Sequence, residues 1–369
     1  MTIGVLKEGN GENRVALLPE HVASLVKKEF RVLVEKGAGK SSYAGDNTYA
    51  EAGASIGERA AVLKDADLIM SVHPPKDKLP KGKALMAVLG PLSNKAAVDK
   101  LASEGVTSYS LDMIPRSTRA QAVDVLSSMA TVAGYKAVLV AAAELPGFFP
   151  MFMSASGTIK PSRILILGAG VAGLQALATA RKLGAVVEVF DVRSAVKEEV
   201  LSLGGKFVEV EGAKDDASAG GYAVEQTEEY KQKQAELIQQ HAIQSDVVIT
   251  TAQIPGRTAP VLIQKKTVES MKPGSVIIDL AASTGGNCEL TKNGEKVVHN
   301  EVTIIGNSNF ASTTPSDASK MLGKNYLNFL DLMIGEDGKL NLDVDDEIVQ
   351  HTCITRDGEV VNERVKGVQ

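Results

Sequence analysis

Short apolar runs alternate with stretches of helical spacing along the first third of the chain. The apolar runs predict strands at Ile3–Leu6, Arg31–Glu35, Leu68–Val72, Leu85–Leu89 and Thr107–Ser110. Helices are predicted between them, at Pro19–Lys28, Thr48–Ala54, Glu58–Leu63 and Lys95–Ser103. Such an alternation is typical of an α/β domain with a mostly parallel sheet.

The alternation resumes after one long helical stretch, Asp124–Leu145. Strands are then predicted at Ile164–Leu167, Val186–Phe190, Lys206–Val210, Asp246–Thr250, Ser275–Asp279 and Val302–Ile305, with a helix at Thr267–Met271. The last sixty or so residues predict a helix, Ser316–Met333, and a hairpin in which His351–Thr355 and Glu359–Val361 flank the type I′ dipeptide Asp357-Gly358. We expect this returning segment to pack on the first domain.

The predicted fold is α/β, with two Rossmann-like, doubly wound parallel-sheet domains and a cleft between them. The first domain is expected to comprise residues 1–127 and 311–369, and the second residues 128–310. The cleft, at the carboxyl ends of the strands, is the expected position of a ligand site.

The second domain begins with a strand, a glycine-rich turn and a helix. Gly168, Gly170 and Gly173 follow the strand in G-x-G-x-x-G spacing. In this fingerprint the first glycine makes a tight turn, the second lets a pyrophosphate approach the backbone, and the third lets the helix pack on the strand. Asp191 ends the next strand about 20 residues on, where the fingerprint places a ribose-binding acid. The sequence therefore predicts a dinucleotide site.

Asp191 also bears on which dinucleotide binds. Its carboxylate would accept a hydrogen bond from a ribose 2′-OH and would repel a 2′-phosphate, which favours NAD over NADP. Arg193, two residues further on, keeps this preference from being absolute, and its side chain has the alternative of lying over the adenine.

Composition and charge exclude several classes of function. The formal net charge of −5 and the lack of any Lys/Arg block argue against a nucleic-acid partner. Cys288 and Cys353 stand alone and the five histidines are dispersed, which favours neither a disulfide framework nor a metal site. The longest uninterrupted apolar stretch, Ala137–Ala143, is far shorter than the roughly 18 residues of a spanning helix, so we expect a soluble cytoplasmic polypeptide.

The richest polar cluster runs from Pro115 to Asp124, just after a predicted strand. Arg116, Gln121 and Asp124 together could hold a nicotinamide carboxamide and orient its ring. The alternative is that Asp124 is only the N-terminal cap of the long helix and Arg116 a solvated charge.

Two further loops, residues 250–256 and 279–287, end strands of the second domain and are expected to face the same cleft. None of these loops contains the Lys/His pair that a dehydrogenase of hydroxy or amino acids would use as acid, base and carboxylate partner. Hydride transfer between two nicotinamides needs no such pair, because no proton moves at the reacting carbons. A polar, Gly-rich insertion, Glu211–Gly221, predicts a mobile segment, either a lid or a surface loop without a role.

Motifs along nearly the whole chain resemble those of one family, the soluble NAD(H)-binding component (domain I, at the start of the α subunit) of proton-translocating NAD(P)+ transhydrogenase. They are Lys7-Glu8 with Glu12-Asn13-Arg14-Val15-Ala16, Arg116-x-x-Arg119-Ala120-Gln121-x-x-Asp124-x-Leu126-Ser127-Ser128, Ala133-Gly134-Tyr135, Gly168-Ala169-Gly170-Val171-Ala172-Gly173-Leu174, Ala219-Gly220-Gly221-Tyr222-Ala223, Thr250-Thr251-Ala252-x-Ile254-Pro255-Gly256 and Gly285-Gly286-Asn287-Cys288. The segment around Gln121 and the Gly-Gly-Tyr insertion are specific to this family.

The resemblance implies a role for each matching residue. The nicotinamide side of NAD(H) would be held by Arg116, Ser117, Thr118, Gln121, Asp124 and Ser127, of which Arg116, Gln121 and Asp124 would be catalytic. The rest of the cofactor would be bound by Gly168, Gly170, Val171 and Gly173 at the glycine turn, by Asp191, Val192 and Arg193 at the adenosine ribose, by Gly221 and Tyr222 as a closing segment, and by Gln253 at the nicotinamide ribose. The family usually has Ile-Ser in place of Ser117-Thr118 and Leu in place of Gln253, which backbone contacts would tolerate.

The same resemblance implies the activity and the partners. This component would work as a homodimer, without a membrane span of its own, on the inner face of a membrane. Its exchangeable NAD(H) would pass hydride directly, with Si-specific/Re-specific geometry, to or from NADP(H) on a partner component, and a membrane-embedded subunit would couple this to proton translocation. The alternative is a stand-alone alanine-type amino-acid dehydrogenase, which resembles the chain in fold but has Lys, His and Asp where His73, Gly90 and Ser283 stand here.

Overall fold

A computed structural model describes residues 1–9, 11–210, 228–254, 256–335, 339–342 and 345–367. The chain divides into two compact units, Met1–Met129 with Ala311–Gln369, and Ala130–Phe310. The sequence prediction placed the first of these boundaries after residue 127. The predicted insertion Glu211–Gly221 and Tyr222 lie outside the described residues.

The first unit begins with six parallel strands and the helices that connect most of them. In chain order these are β1 Thr2–Val5, α1 Pro19–Lys27, β2 Arg31–Glu35, α2 Asp46–Glu51, β3 Ser55–Gly57, α3 Arg59–Asp65, β4 Leu68–Met70, β5 Ala84–Ala87, α4 Lys95–Ser103 and β6 Thr107–Ser110. Helix α5, Val125–Glu144, then leads out of this unit into the second.

The second unit follows the same plan. Its elements are β7 Phe152–Ser154, β8 Gly157–Ile159, β9 Arg163–Leu167, α6 Val171–Lys182, β10 Val186–Phe190, α7 Lys197–Ser202, β11 Lys206–Phe207, α8 Glu228–Gln244, β12 Val247–Thr250, α9 Lys265–Val268, β13 Val276–Asp279, β14 Lys296–His299 and β15 Val302–Gly306. The chain then returns to the first unit with α10 Pro315–Asp331, α11 Glu347–Thr352, β16 Cys353–Arg356, β17 Glu359–Val360 and α12 Glu363–Lys366.

Both large sheets are doubly wound. The first has the order β17-β16-β6-β5-β4-β1-β2-β3, and the second β11-β10-β9-β12-β13-β15-β14. In the first sheet β1 lies beside β4, and in the second β9 lies beside β12. From each of these central pairs, the earlier strands of the unit are added on one side and the later strands on the other. This is the Rossmann arrangement, and the predicted fold class is confirmed in both units. Antiparallel strands close one edge of each sheet, β16 with β17 in the first and β14 in the second.

The strands are apolar because both faces of each sheet are covered. Successive residues of β9 alternate between two cores: Ile164 and Ile166 pack in one, Leu165 and Leu167 in the other. The first unit has the same arrangement, with Met70 in one core and Ile69 in the other. A parallel strand buried on both sides therefore carries a continuous apolar run, which is the pattern that predicted it.

Several elements differ from the sequence prediction. Residues 351 and 352 were predicted to begin a strand, but they are the last two residues of α11. Asp346 caps the start of this helix, since its carboxylate accepts from Ile348 N at 2.9 Å. The turn that follows is as predicted: Asp357 and Gly358 have φ of 51° and 86°, as a type I′ turn requires. Strand β11 is only two residues long, and the prediction missed the β7–β8 hairpin and α8.

Helix α5 is long and apolar enough to cross a membrane by length and composition, with a mean hydropathy of 1.5 over a window that is 33% buried. The prediction counted only uninterrupted apolar residues and so expected no such helix. Ala137, Val138 and Ala141 of α5 are fully buried in the core of the second unit. Because the core helix of a globular domain passes the same test, α5 is weak evidence for a span.

Candidate functional site

The glycine turn joins β9 to α6 in the second unit, and its three glycines have three different surroundings. Gly168 has φ of 107°, which favours glycine, and a Cβ there would lie 2.4 Å from Thr251 Oγ1. A Cβ on Gly173 would lie 1.8 Å from the carbonyl oxygen of Gly168, so the helix can approach the strand only without a side chain. Around a Cβ on Gly170, by contrast, no described atom lies within 4 Å. Two glycines are therefore required by packing, and the third faces open space.

That open space lies at the N-terminus of α6. Gly170 is the N-cap residue and supplies no side-chain cap, and Val171, the first helical residue, is 42% exposed. The N–H groups of a first helical turn and the helix dipole favour an anion. The turn therefore fits the pyrophosphate of a dinucleotide, with Gly170 allowing its close approach.

Asp191 follows β10 and links the glycine turn to Arg193. Its Oδ2 accepts from the backbone N–H of Ala169 at 2.7 Å, and its Oδ1 accepts from Arg193 N and Nε, both at 2.9 Å. The guanidinium adds a contact of 2.9 Å from Nη2 to Oδ2, and this pairing raises the pKa of Arg193. Two positions were considered for Arg193 from the sequence, near the ribose 2′ position or over the adenine; in the structure its side chain is paired with Asp191, which was not predicted.

A second α-helix packs on the first turn of α6. A Cβ on Gly134 of α5 would lie 2.1 Å from the carbonyl oxygen of Ala172, so the two helices touch at backbone distance. The motif Ala133-Gly134-Tyr135 contains this glycine, but sequence reasoning gave it no role. This close contact supports the helix whose N-terminus is the candidate anion site.

Gln253 lies in the loop after β12. Its Nε2 donates to the carbonyl oxygen of Leu280, after β13, at 3.0 Å. Thr251, in the same loop, contacts the glycine turn, with its Oγ1 3.3 Å from Leu167 O and 3.2 Å from Gly168 O. The side chain of Gln253 therefore links the loop after β12 to the loop after β13. Val192, the residue after Asp191, packs against the same core as Leu165 and Leu167 of β9.

The predicted nicotinamide-binding segment belongs to the first unit. Residues 118–123 form a 3₁₀ helix between β6 and α5, and the predicted side chains there, Arg116, Ser117, Thr118 and Gln121, are exposed. The Asp124 N–H donates to the carbonyl oxygen of Gln121 at 3.4 Å, which brings these two predicted residues together through the backbone.

Asp124 is the N-terminal cap of α5. Its Oδ1 accepts from Ser127 N at 2.9 Å and its Oδ2 from Ser127 Oγ at 2.5 Å. The capping alternative raised from the sequence is thus observed, and it occupies both oxygens with Ser127. Asp124 is half-buried, whereas Gln121 is exposed.

Two asparagines that sequence reasoning missed hold this segment from α10. Asn325 and Asn328 both donate from Nδ2 to the carbonyl oxygen of Ala122, at 3.0 and 2.8 Å. Their spacing of three residues places both amides on one face of the helix, which is the only sequence signal that could have indicated them. Arg119 is paired with Asp346, at the start of α11. The backbone next to Gln121 is therefore held by α10, and the side chain of Arg119 by the residue that precedes α11.

The chain matches known proteins over nearly its whole length. Residues 4–133 match the N-terminal domain of the alanine dehydrogenase/PNT family, and residues 137–363 match its C-terminal domain. The chain is 46% identical to the first part of the NAD(P) transhydrogenase alpha subunit of Rhodospirillum rubrum, covering 100% of this chain and 99% of that protein. It superimposes on the crystal structure of a transhydrogenase from Sinorhizobium meliloti with a TM-score of 0.89, at 42% identity, covering 98% of this chain and all of the other.

The chain belongs to the alanine dehydrogenase/PNT family. Within it, the transhydrogenase alpha subunits are the nearer relatives, since the alanine dehydrogenase of Mycolicibacterium smegmatis is 27% identical over 99% of this chain. The predicted resemblance to transhydrogenase is confirmed.

The first unit of this alanine dehydrogenase/PNT chain has a charged cluster at its own switch point, where β1 and β4 diverge. Arg14 is paired with both carboxylate oxygens of Glu12, at 2.8 and 2.6 Å, and His73 Nε2 lies 2.9 Å from Glu12 Oε2. Burial alone would raise the pKa of Glu12, but the bonds from Arg14 and His73 outweigh it and hold this pKa well below its usual range. Glu8 accepts from Val72 N at 2.6 Å, and burial raises its pKa.

The three positions that separate this chain from alanine dehydrogenases are occupied differently here. His73 is bound to Glu12, Gly90 has φ of 63°, and Ser283 donates its backbone N–H to Ser308 Oγ at 2.9 Å. Gly221 and Tyr222, the predicted closing segment, lie outside the described residues.

Proposed function

We propose that this chain is the NAD(H)-binding component of a proton-translocating transhydrogenase. NAD(H) bound in its second unit exchanges hydride directly with NADP(H) on a partner component, with Si-specific/Re-specific geometry, and membrane subunits couple the exchange to proton translocation. NAD(H) is then a substrate that enters and leaves.

The observation that carries the proposal is the glycine turn in its setting. Open space over Gly170, an N-terminus of α6 without a side-chain cap, and Asp191 bonded to Ala169 together suit a dinucleotide. The similarity to transhydrogenase alpha subunits over the full chain supports a transhydrogenase component in particular.

The acid at the ribose position supports NAD(H) rather than NADP(H). The Asp191 side chain is 6% exposed and its pairing with Arg193 keeps that guanidinium engaged. A 2′-phosphate would have to displace this pair and lie beside the carboxylate. NADP(H) is therefore assigned to the partner component.

The segment 116–121, exposed apart from Ala120, is proposed to hold the nicotinamide side, with Gln121 as the residue that reaches the partner's NADP(H). Support comes from its backbone, which Asn325 and Asn328 anchor beside Gln121 while leaving the Gln121 side chain exposed. Asp124 and Ser127 contribute by capping α5, which fixes where the segment ends.

The alternative of an alanine-type dehydrogenase is opposed by Arg14. An amino-acid dehydrogenase needs a cation for the substrate carboxylate and an acid–base group. Arg14 is 7% exposed, and its guanidinium is engaged with both oxygens of Glu12. This guanidinium is thus already paired within the chain.

A homodimer is part of the proposal, and exposed apolar residues of the second unit support it. All six strand residues of the β7–β8 hairpin are exposed, and this two-stranded sheet is separate from the two large sheets. The apolar side chains on and beside it are Phe148, Met151, Phe152, Met153 and Ile159, which are 46–73% exposed. A patch of this kind is typical of a protein interface. The dimer is placed on the inner face of the membrane through the partner subunits.

The test uses the purified chain and a purified NADP(H)-binding transhydrogenase component. The chain alone should bind NADH more tightly than NADPH and oxidise no alanine. With the partner added, hydride should pass from NADH to an NADP+ analogue whose reduced form absorbs at a different wavelength. Tighter binding of NADPH, NAD-dependent alanine oxidation, or a complex that forms without exchanging hydride would each contradict the proposal.

A further inference from the structure

A buried hydrogen-bond network underlies the loops that follow β12 and β13. Its centre is Asp279, the last residue of β13, which is fully buried. Oδ1 accepts from Ala281 N at 2.9 Å, and Oδ2 accepts from Asn287 N at 2.7 Å, Cys288 N at 3.0 Å and Thr291 Oγ1 at 2.6 Å. One side chain therefore fixes the backbone on both sides of the Gly285-Gly286 pair.

Gly286 lies directly on this carboxylate. Its φ is 84°, and a Cβ there would lie 2.8 Å from Asp279 Oδ2. The close approach requires glycine, and it determines the position of the next residue, Asn287.

Asn287 transmits that position to the neighbouring loop. Its side chain is fully buried and pairs with the backbone of Ala252 as a strand would: Oδ1 accepts from Ala252 N at 3.0 Å, and Nδ2 donates to Ala252 O at 2.9 Å. Nδ2 also donates to Pro260 O at 2.8 Å. Both hydrogens and the oxygen of the amide are used, so the loop after β12 is held in one position relative to β13.

Ala252 lies between two residues whose side chains bond to neighbouring loops. On one side, Thr251 contacts Leu167 O and Gly168 O in the glycine turn. On the other, Gln253 bonds to Leu280 O. Displacement of Ala252 would therefore move Thr251, which contacts the glycine turn. Asp191 would keep its own contacts, because it follows β10, which lies on the other side of β9 from β12.

We propose that Asp279 and Asn287 are positioning residues for the nicotinamide-bearing half of the dinucleotide. Asp279 sets the position of Asn287, and Asn287 holds the backbone of Ala252. The loop Thr251–Gln253 is thereby kept in one position beside the glycine turn, where it can contact the cofactor. Neither side chain touches the cofactor. The inference rests on the proposed function, because it presumes that a nicotinamide dinucleotide binds at this turn.

The critical variant is Asn287→Asp, which keeps the shape but places an oxygen against two carbonyl oxygens, Ala252 O and Pro260 O. Two probes separate positioning from general damage: NADH, which spans both halves of the site, and AMP, which carries only the adenosine half. We expect NADH affinity to fall about tenfold or more while AMP affinity stays within about twofold of the original protein. The control is Asn300→Asp, which removes a side-chain bond to Glu269 O on an exposed loop of the same unit and should leave both affinities unchanged.

A parallel loss of NADH and AMP affinity with a lower unfolding temperature would overturn the inference in favour of a purely structural role. Unchanged NADH affinity would overturn it outright. If Asn287→Asp does not fold, Thr251→Val carries the test, because it removes only the hydroxyl at the glycine turn, and the same split between NADH and AMP is expected. Failure of the original protein to bind NADH would overturn the proposed function together with this inference, whereas binding that both variants retain would overturn the inference alone.

Discussion

The carboxylate of Asp191 accepts a hydrogen bond of 2.7 Å from the backbone N–H of Ala169. The acid at the end of β10 is thereby bonded to the turn that ends β9, inside the glycine fingerprint. The same carboxylate holds Arg193. One side chain thus holds the glycine turn and the Arg193 guanidinium, in addition to the ribose contact that its place in the fingerprint predicts.

Replacement of Asp191 by Asn should lower NADH affinity about tenfold and narrow the preference for NADH over NADPH. The amide removes the charge that repels a 2′-phosphate and releases Arg193 from its ion pair. Titration of both dinucleotides on the isolated chain measures the effect. The control is Glu188→Gln on the same strand, whose carboxylate pairs with Arg163 and His241. If the ratio of NADH affinity to NADPH affinity were the same in Asp191→Asn and Glu188→Gln, Asp191 would not select the cofactor.

Replacement of Gln121 by Asn should slow hydride transfer about a hundredfold and change NADH affinity no more than about threefold. Asparagine is one methylene shorter than glutamine, so its amide lies closer to a backbone that Asn325 and Asn328 hold in place. A displacement of this size affects the geometry of hydride transfer more than it affects NADH binding. Single-turnover transfer with the partner component measures the rate. Gln232→Asn, on the exposed face of α8, is the matched control. A collapse of affinity in Gln121→Asn would make Gln121 a binding residue.

The sheets were predictable because burial on both faces imposes continuous apolar runs, as in Ile164–Leu167. The glycine fingerprint was predictable because its spacing is local, and each glycine has a separate physical reason in the structure. The β7–β8 hairpin was missed since its residues are exposed, and no burial pattern marks them.

The supporting contacts of the site could not be predicted, because they join residues far apart in the chain. Asn325 contacts Ala122 across about two hundred residues, and Asn287 contacts Ala252 across two loops. The capping contact of Asp124 also depends on geometry, since only the structure places Ser127 N 2.9 Å from its carboxylate. Secondary-structure patterns carry no information of this kind.

His21 should make the protein less stable as the pH falls below about 6.5. Burial lowers the pKa of His21 from its usual 6.5, and Nδ1 accepts from Leu18 N at 3.0 Å, which requires this nitrogen unprotonated. The charge of Glu20 and a hydrogen bond to the backbone of Lys320 oppose this lowering of the pKa, while the charges of Lys324 and Lys320 add to it. The unfolded chain therefore binds the proton at higher pH than the folded one, so this contribution is present above 6.5 and is lost as the pH falls toward the folded pKa.

Urea unfolding between pH 5 and 8 measures this contribution. The free energy of unfolding should fall more steeply toward acid in the original protein than in His21→Gln, since glutamine at this position can also accept from the helix N-cap. His351→Gln, at an exposed histidine of α11, is the control. Identical slopes in the original protein and His21→Gln would show that His21 does not contribute.

Alanine at Gly170 and alanine at Gly173 should have different consequences for the fold. At Gly173 the new Cβ meets Gly168 O at 1.8 Å, so the turn must shift, and we expect a lower unfolding temperature together with weaker NADH binding. At Gly170 no described atom lies within 4 Å of the new methyl, so the fold should be unaffected, yet the methyl occupies the approach of the pyrophosphate and NADH affinity should fall about tenfold or more. Gly147→Ala, also without a described atom within 4 Å, is the control for both measurements. If Gly170→Ala bound NADH as tightly as Gly147→Ala, the pyrophosphate would have to lie elsewhere, because an anion held by the first turn of α6 cannot avoid the space over its N-cap residue.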